Sequence, residues 1–328
     1  MSLFLSPPAR LPRRLAWLVI LQTLACPCLA RGQSTVTLDA RRETAAGADL
    51  VPALSRAATA SPTTAAGGDA GGSTPGGAEF GEQRILQRHA QVDPWSAVVD
   101  LQVFHTDNAG LTSVGRESDS YMRYGAAVSY TNRIAGPLFI DLSLQQAAFR
   151  YSEFVVLDFD LSRAEAGLLF QTAGRLDLLL VARYRFERIM EADWGSALLT
   201  THSAELGVQK IWKIRRGQRL SAGLFATLPF ETDPQPAERF EYSASLGYSL
   251  RLTERLTAGL SYRGSRYHAP ERGRSDWNHL FSGSASYALL DWLQLGLNVT
   301  YTVNRSDAAV GNYESFVPGA SVALKIVF

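Results

Sequence analysis

Read two residues apart, the C-terminal two thirds of the chain divides into two faces. Leu293, Leu295, Leu297, Val299, Tyr301 and Val303 form one side, and Gln294, Gly296, Asn298, Thr300, Thr302 and Asn304 form the other. This is the period of a β-strand with one apolar face. The split recurs from Phe240 to Leu250, from Leu176 to Phe186 and from Leu138 to Leu144. It predicts twelve strands, starting near 96, 121, 137, 160, 175, 199, 219, 239, 255, 278, 292 and 314. Each is longer than the ~5–6 residues usual in soluble sheets. Short connections near 132–136, 172–174, 214–218, 252–254 and 290–291 alternate with longer ones at 106–120, 151–159, 188–198, 231–238, 268–277 and 305–313. Even-numbered strands begin 39, 39, 40, 39 and 36 residues apart, so the repeating unit is one long hairpin. A propeller blade needs four short strands per repeat, which this period does not hold.

Alternation alone also suits a soluble sandwich, whose apolar face is covered by a second sheet. Strand length favours lipid instead, because a tilted bilayer-spanning strand needs ~9–11 residues. Aromatic residues gather near strand ends: Trp95, Trp212, Trp292 and Phe328 at the short-turn end, and Tyr121, Tyr151, Phe186, Phe230, Phe240, Tyr242, Tyr267 and Phe316 at the loop end. Two such belts are expected at the two interfaces of a bilayer. The final segment alternates Ala320, Val322, Leu324, Ile326 and a terminal Phe328. It resembles the C-terminal assembly signal of bacterial outer-membrane β-barrel proteins, with Val322, Leu324, Ile326 and Phe328 as the signal residues. The resemblance is to porin-like barrels of twelve strands and carries no one family's catalytic motif. It implies an all-β fold, a transmembrane up-and-down antiparallel barrel over 95–328, and insertion by the barrel assembly machinery into outer-membrane lipids. Closure has a physical reason, since in hydrocarbon every backbone N–H and C=O must be paired and only a closed sheet has no edge.

The first 93 residues read differently. Arg10, Arg13 and Arg14 precede an eleven-residue, largely apolar stretch, Leu15 to Ala25, with small residues at Cys28 and Ala30. That is the pattern of a secretory signal peptide over 1–30. Thr23-Leu24-Ala25-Cys26 leaves lipidation of Cys26 as an alternative. Residues 31–94 are expected to be a disordered low-complexity linker, with a short helix predicted over 79–90. Composition adds little. Lys and Arg number 32 against 31 Asp and Glu, and removal of residues 1–30 leaves a net charge of −2. No field of that size points to nucleic acid. Both cysteines, Cys26 and Cys28, lie in the leader, so neither a disulfide framework nor a Cys-based metal cage is expected.

The polar parity of the strands carries Arg123, Asp141, Arg163, Glu165, Asp177, Arg183, Arg185, Glu187, Glu205, Glu241, Arg251 and Arg263, which are predicted to line the lumen. Mixed charge in a confined bore pairs across strands and sets its width and selectivity. Arg150 and Lys210 fall on the lipid parity near strand ends, within reach of headgroups. The five histidines, His89, His105, His202, His268 and His279, show no ligand spacing, and neither a phosphate loop nor a nucleophile elbow is present. The expectation is a non-enzymatic small porin or channel for hydrophilic solutes, with no cofactor and no metal. Two alternatives stay open. One is an outer-membrane hydrolase of phospholipase or protease type using His105, His268 or His279. The other is an export barrel gated by the N-terminal segment.

Overall fold

In the computed structural model, residues 37–48, 94–172, 174 and 176–328 are described. The sheet comprises β1 (Trp95–Thr106), β2 (Asp119–Ala135), β3 (Leu138–Tyr151), β4 (Phe159–Gln171), β5 (Leu178–Glu191), β6 (Ala197–Arg215), β7 (Gln218–Asp233), β8 (Phe240–Arg251), β9 (Leu256–Ala269), β10 (Arg274–Ala288), β11 (Leu293–Ser306) and β12 (Tyr313–Val327). Each strand pairs antiparallel with its chain neighbours, and β1 pairs with β12, so the sheet closes into a barrel. Glycine sits in two of the tight turns, Gly136 at φ 49° and Gly217 at φ 81°, a left-handed backbone that two-residue hairpins require.

The outward parity is apolar as read. Leu144, Leu260 and Leu297 are each about two-thirds exposed, at 64%, 65% and 64%. Exposed leucines on every side of a closed sheet mark a lipid-facing surface rather than one awaiting a second sheet. At the seam, Trp95 and Phe328 exchange two backbone hydrogen bonds of 3.1 Å and stack with ring centroids 6.5 Å apart. Deleting Phe328 removes both bonds and the stack, whereas Phe328→Ala keeps the bonds. On refolding into lipid vesicles, the deletion is expected to lower the yield of heat-modifiable folded barrel more than Phe328→Ala does.

Three expectations are corrected. The ladder continues past the hydrocarbon, so β5 runs to Glu191, β10 starts at Arg274, and the connection there is only 270–273. The strand stretch 274–277 lacks an apolar stripe because it stands clear of the acyl chains. Within the expected linker, residues 37–48 form a helix, α1. A twelve-residue helix is marginal alone, and this one is held by the barrel it docks in. Finally, Tyr121, Tyr151 and Tyr267 are not belt residues: they point inward and are 2–6% exposed. Phe230, Tyr242 and Phe316 do face out. The leader 1–30, Cys26, His89 and the helix predicted over 79–90 lie outside the described residues.

Candidate functional site in the barrel lumen

The bore has three zones. Its middle is a charge lattice on β3 to β6. The Arg183 guanidinium reaches Asp141 at 3.0 Å, Glu205 at 3.0 Å and Glu165 at 3.8 Å, and Arg185 reaches Glu165 at 2.8 Å and Glu205 at 2.6 Å. Arg163 donates twice to Glu187, at 2.6 and 3.0 Å. Strand alternation places all these groups inward, and the register sets Arg163 opposite Glu187, Glu165 opposite Arg185 and Arg183 opposite Glu205. Fork-shaped guanidinium donors matched to carboxylates lock the wall in one arrangement. Arg123 pairs with Asp100 across β1 and β2. The pair lies over Gly125, where a Cβ would come within 2.7 Å of the Asp100 carboxylate. Glu241 accepts from Ser265 at 2.9 Å and faces Arg263. Of the residues predicted to line the lumen, Asp177 falls instead in the exposed β4–β5 turn, at φ 42°, where it accepts a bond from Gln171.

The short-turn end is basic. Lys213, Arg215, Arg216, Arg219 and Arg251 line a cavity of about 420 Å³, with no acid among its lining residues. Arg251 was legible on the polar parity; Lys213, Arg215 and Arg219 follow the same parity on β6 and β7 but were not singled out from the sequence.

The loop end is filled. Phe104, Tyr121, Phe149, Tyr151, Phe159, Leu161, Ile189 and Leu199 form a buried inward collar. Into it packs α1, burying Leu38, Ala40, Ala45 and Ala48. The helix stands in the bore because it meets opposing walls: Thr44 bonds Tyr151 on β3 at 3.1 Å and Asp39 accepts from Arg274 at the start of β10 at 3.0 Å, while Arg42 bonds Thr201 on β6, between them, at 3.3 Å. On the side of β1, β2, β11 and β12, a gap of about 30 Å³ remains, room for a water or two. Twelve strands at the usual spacing and tilt put opposing backbones about 24 Å apart, and after side chains a helix ~10–12 Å wide fills the remainder.

The grip on α1 is mainly polar. Asp39 accepts from Arg272 at 2.8 Å and Arg274 at 3.0 Å, and Glu43 accepts from Arg239 at 2.9 Å. Arg41 donates to the Val156 carbonyl and Arg42 to the Ala237 carbonyl, both at 2.6 Å. Burial pushes the Asp39 carboxyl up, but the Arg272 hydrogen bond and the charges of Arg272, Arg239 and Arg274 outweigh it and hold the group below its ordinary value. Burial, with the like charge of Arg239 behind it, brings Arg42 down to about 10, so it stays charged at neutral pH.

The outward face carries the four histidines among the described residues. His105 Nδ1 meets Ser120 at 3.1 Å, His202 meets the Tyr184 hydroxyl at 2.7 Å, His268 meets Ser275 at 3.2 Å and His279 meets the Tyr262 hydroxyl at 2.9 Å. One pattern repeated four times, twice on serine and twice on tyrosine, gives each imidazole a hydroxyl partner. Among the described residues no carboxylate bonds any of them to orient a base. Arg150 is tied to Asp160 at 2.8 Å and to Asp193 at 3.3 Å, and Lys210 lies over the Trp212 ring at 5.6 Å.

No family model matches the chain, and no curated protein does. Among solved structures, the COG4313 outer membrane channel from Pseudomonas putida F1 is similar at a TM-score of 0.51 and 13% identity, over 72% of this chain and 96% of that one. The NanC porin gives 0.42 at 6% identity over 70% and 100%, and the KdgM porin 0.39 at 6% over 68% and 97%. At such identities the likeness is one of fold: this chain is a closed twelve-stranded antiparallel barrel, similar in fold to that Pseudomonas putida protein.

Proposed function

We propose that the chain is a small outer-membrane channel for hydrophilic solutes, inserted by the barrel assembly machinery and held closed at its outer mouth by α1 in the conformation described. The observation that carries this reading is the inversion of the barrel, with leucine outside and an arginine–carboxylate lattice inside, which suits acyl chains around a hydrated bore. Bilayer recordings of the chain lacking residues 1–30 test it. Discrete steps of current support the channel, and a folded barrel that stays insulating even without residues 37–48 removes it. The basic inner vestibule adds a selectivity. Fixed positive charge at a pore mouth raises the local anion concentration, so the reversal potential in a KCl gradient is expected to show chloride preferred over potassium. Replacing Lys213, Arg215 and Arg251 together by Gln is expected to reduce that preference about twofold or more at low salt, where screening is weak. An unchanged reversal potential in this triple variant would refute the assignment of selectivity to the vestibule.

A further inference from the structure

The groups that hold α1 are carboxylate binders, and apart from Asp276 of the wall the carboxylates they hold belong to a tethered segment. Asp39 sits between Arg272 and Arg274, and Glu43 meets Arg239, with none of these five side chains more than 16% exposed. Positions 39 and 43 are one helical turn apart, so the two carboxylates leave one face of α1 with Cβ atoms ~5–6 Å apart. The arginines belong to the barrel: Arg239 in the 234–239 connection, Arg272 in the 270–273 connection and Arg274 at the start of β10. Arg263 faces the same group through Glu241, and Asp276 shares Arg274 at 2.5 Å. Around Asp39 and Glu43, four barrel arginines therefore stand against two barrel acids, and these two carboxylates supply the local counter-charge. The helix as a whole is neutral, but its Arg41 and Arg42 reach the Val156 and Ala237 carbonyls, so its departure strips this arginine cluster of partners without changing the net charge of the mouth.

We infer that Arg239, Arg272 and Arg274 form the docking site for a solute carrying two or more carboxylates about one helical turn apart, and that Asp39 and Glu43 occupy this site as an internal stand-in. The inference rests on the channel reading and names its solute class. Guanidinium forks suit carboxylates geometrically as well as by charge. The apolar hold on α1 is small, one leucine and three alanines, so a competitor for the arginines takes away its three ion pairs and leaves the Arg41, Arg42 and Thr44 hydrogen bonds to hold it. Because the stand-in is tethered, it competes at a high effective concentration, and the site reveals its affinity only when the stand-in is disarmed.

The test titrates tricarballylate into the detergent-folded chain lacking residues 1–30, by calorimetry at low salt. Each variant is first checked as a folded barrel by its heat-dependent gel shift. Asp39→Asn with Glu43→Gln is expected to bind tricarballylate at least about tenfold more tightly than the parent chain. Adding Arg272→Gln and Arg274→Gln to that background is expected to abolish the gain. Acetate and sulfate at matched ionic strength separate spaced carboxylates from anions in general. Equal tricarballylate affinity in parent and double variant overturns the inference. So does binding that survives loss of both arginines, or sulfate binding as tight as tricarballylate. Conductance of the chain that also lacks residues 37–48 reads the channel separately: if that barrel is insulating while the double variant binds tricarballylate, the site stands and the transport role ends.

Discussion

Asp39→Asn in the otherwise intact chain is expected to turn a closed barrel into one that is open much of the time. The carboxylate holds two arginines that are each less than one-sixth exposed. An amide cannot satisfy both guanidinium groups, and stranding a partly buried pair in this way costs about 3 kcal/mol, the low end for buried ion pairs. At 1.4 kcal/mol per factor of ten, the docked-to-undocked ratio of α1 falls on the order of a hundredfold. Single-channel records would show this as a rise in open time with no change in the size of the fully open step, because the wall is untouched. Deleting residues 37–48 should give the same step, permanently open. A variant as quiet as the parent would mean that α1 is held by its collar and not by its charges.

Acid should do reversibly what the substitution does permanently, and the direction follows from the ion pairs. Docking holds the Asp39 carboxyl below its ordinary 3.8, so its contribution is complete above that value and is lost as pH falls through the lower, docked one. Arg272 from the 270–273 connection, Arg274 at the start of β10, Arg239 from the 234–239 connection and Arg42 on α1 itself face this carboxylate. Asp276, which shares Arg274, competes for the same guanidinium. Open time should therefore be level from pH 8 to about 5 and climb only below about 4. A climb already complete at pH 6 would point to another titrating group.

Much of this architecture was legible because lipid imposes a strict two-residue period, and the registers of β3, β5, β8 and β11 follow from it. The errors have physical causes. At 274–277, Arg274, Ser275, Asp276 and Trp277 stand above the acyl chains, so no apolar stripe announces a strand whose backbone ladder nonetheless continues. The loop-end tyrosines were placed in the lipid belt by position along the strand, although parity said otherwise. Tyr121 shares its face with Arg123, and Tyr267 with Arg263, so both had to point inward. Asp100 sat on the polar parity of β1 and was passed over, though Gly125 beside Arg123 marks the space their pair needs. Helix α1 was hidden by composition. Its apolar side is Leu38 with small alanines, too faint to separate from an Ala- and Thr-rich stretch, and it is held mainly by polar partners on the barrel more than a hundred residues away.

Arg185→Met should be the most damaging single change to the wall. Arg185 is the shared donor of Glu165 and Glu205, at 2.8 and 2.6 Å, and Arg183 already divides itself among three carboxylates. With Arg185 gone, Glu165 and Glu205 confront each other with one overcommitted guanidinium between them. Breaking a buried pair costs 3–5 kcal/mol, and with a quarter of the Arg185 side chain exposed the loss is about 3 kcal/mol. Urea unfolding of the barrel in vesicles should register that loss as a lower midpoint with an unchanged slope. Adding Glu205→Gln removes one of the stranded charges. The double variant should then be more stable than Arg185→Met alone, a positive coupling on the order of 1–2 kcal/mol that two independent sites would not give. The same lattice lines the bore, so the single variant, richer in uncompensated carboxylate, should also move the reversal potential toward cations. The double variant should move it part of the way back, and stability and selectivity would then be traced to one set of side chains on β4, β5 and β6.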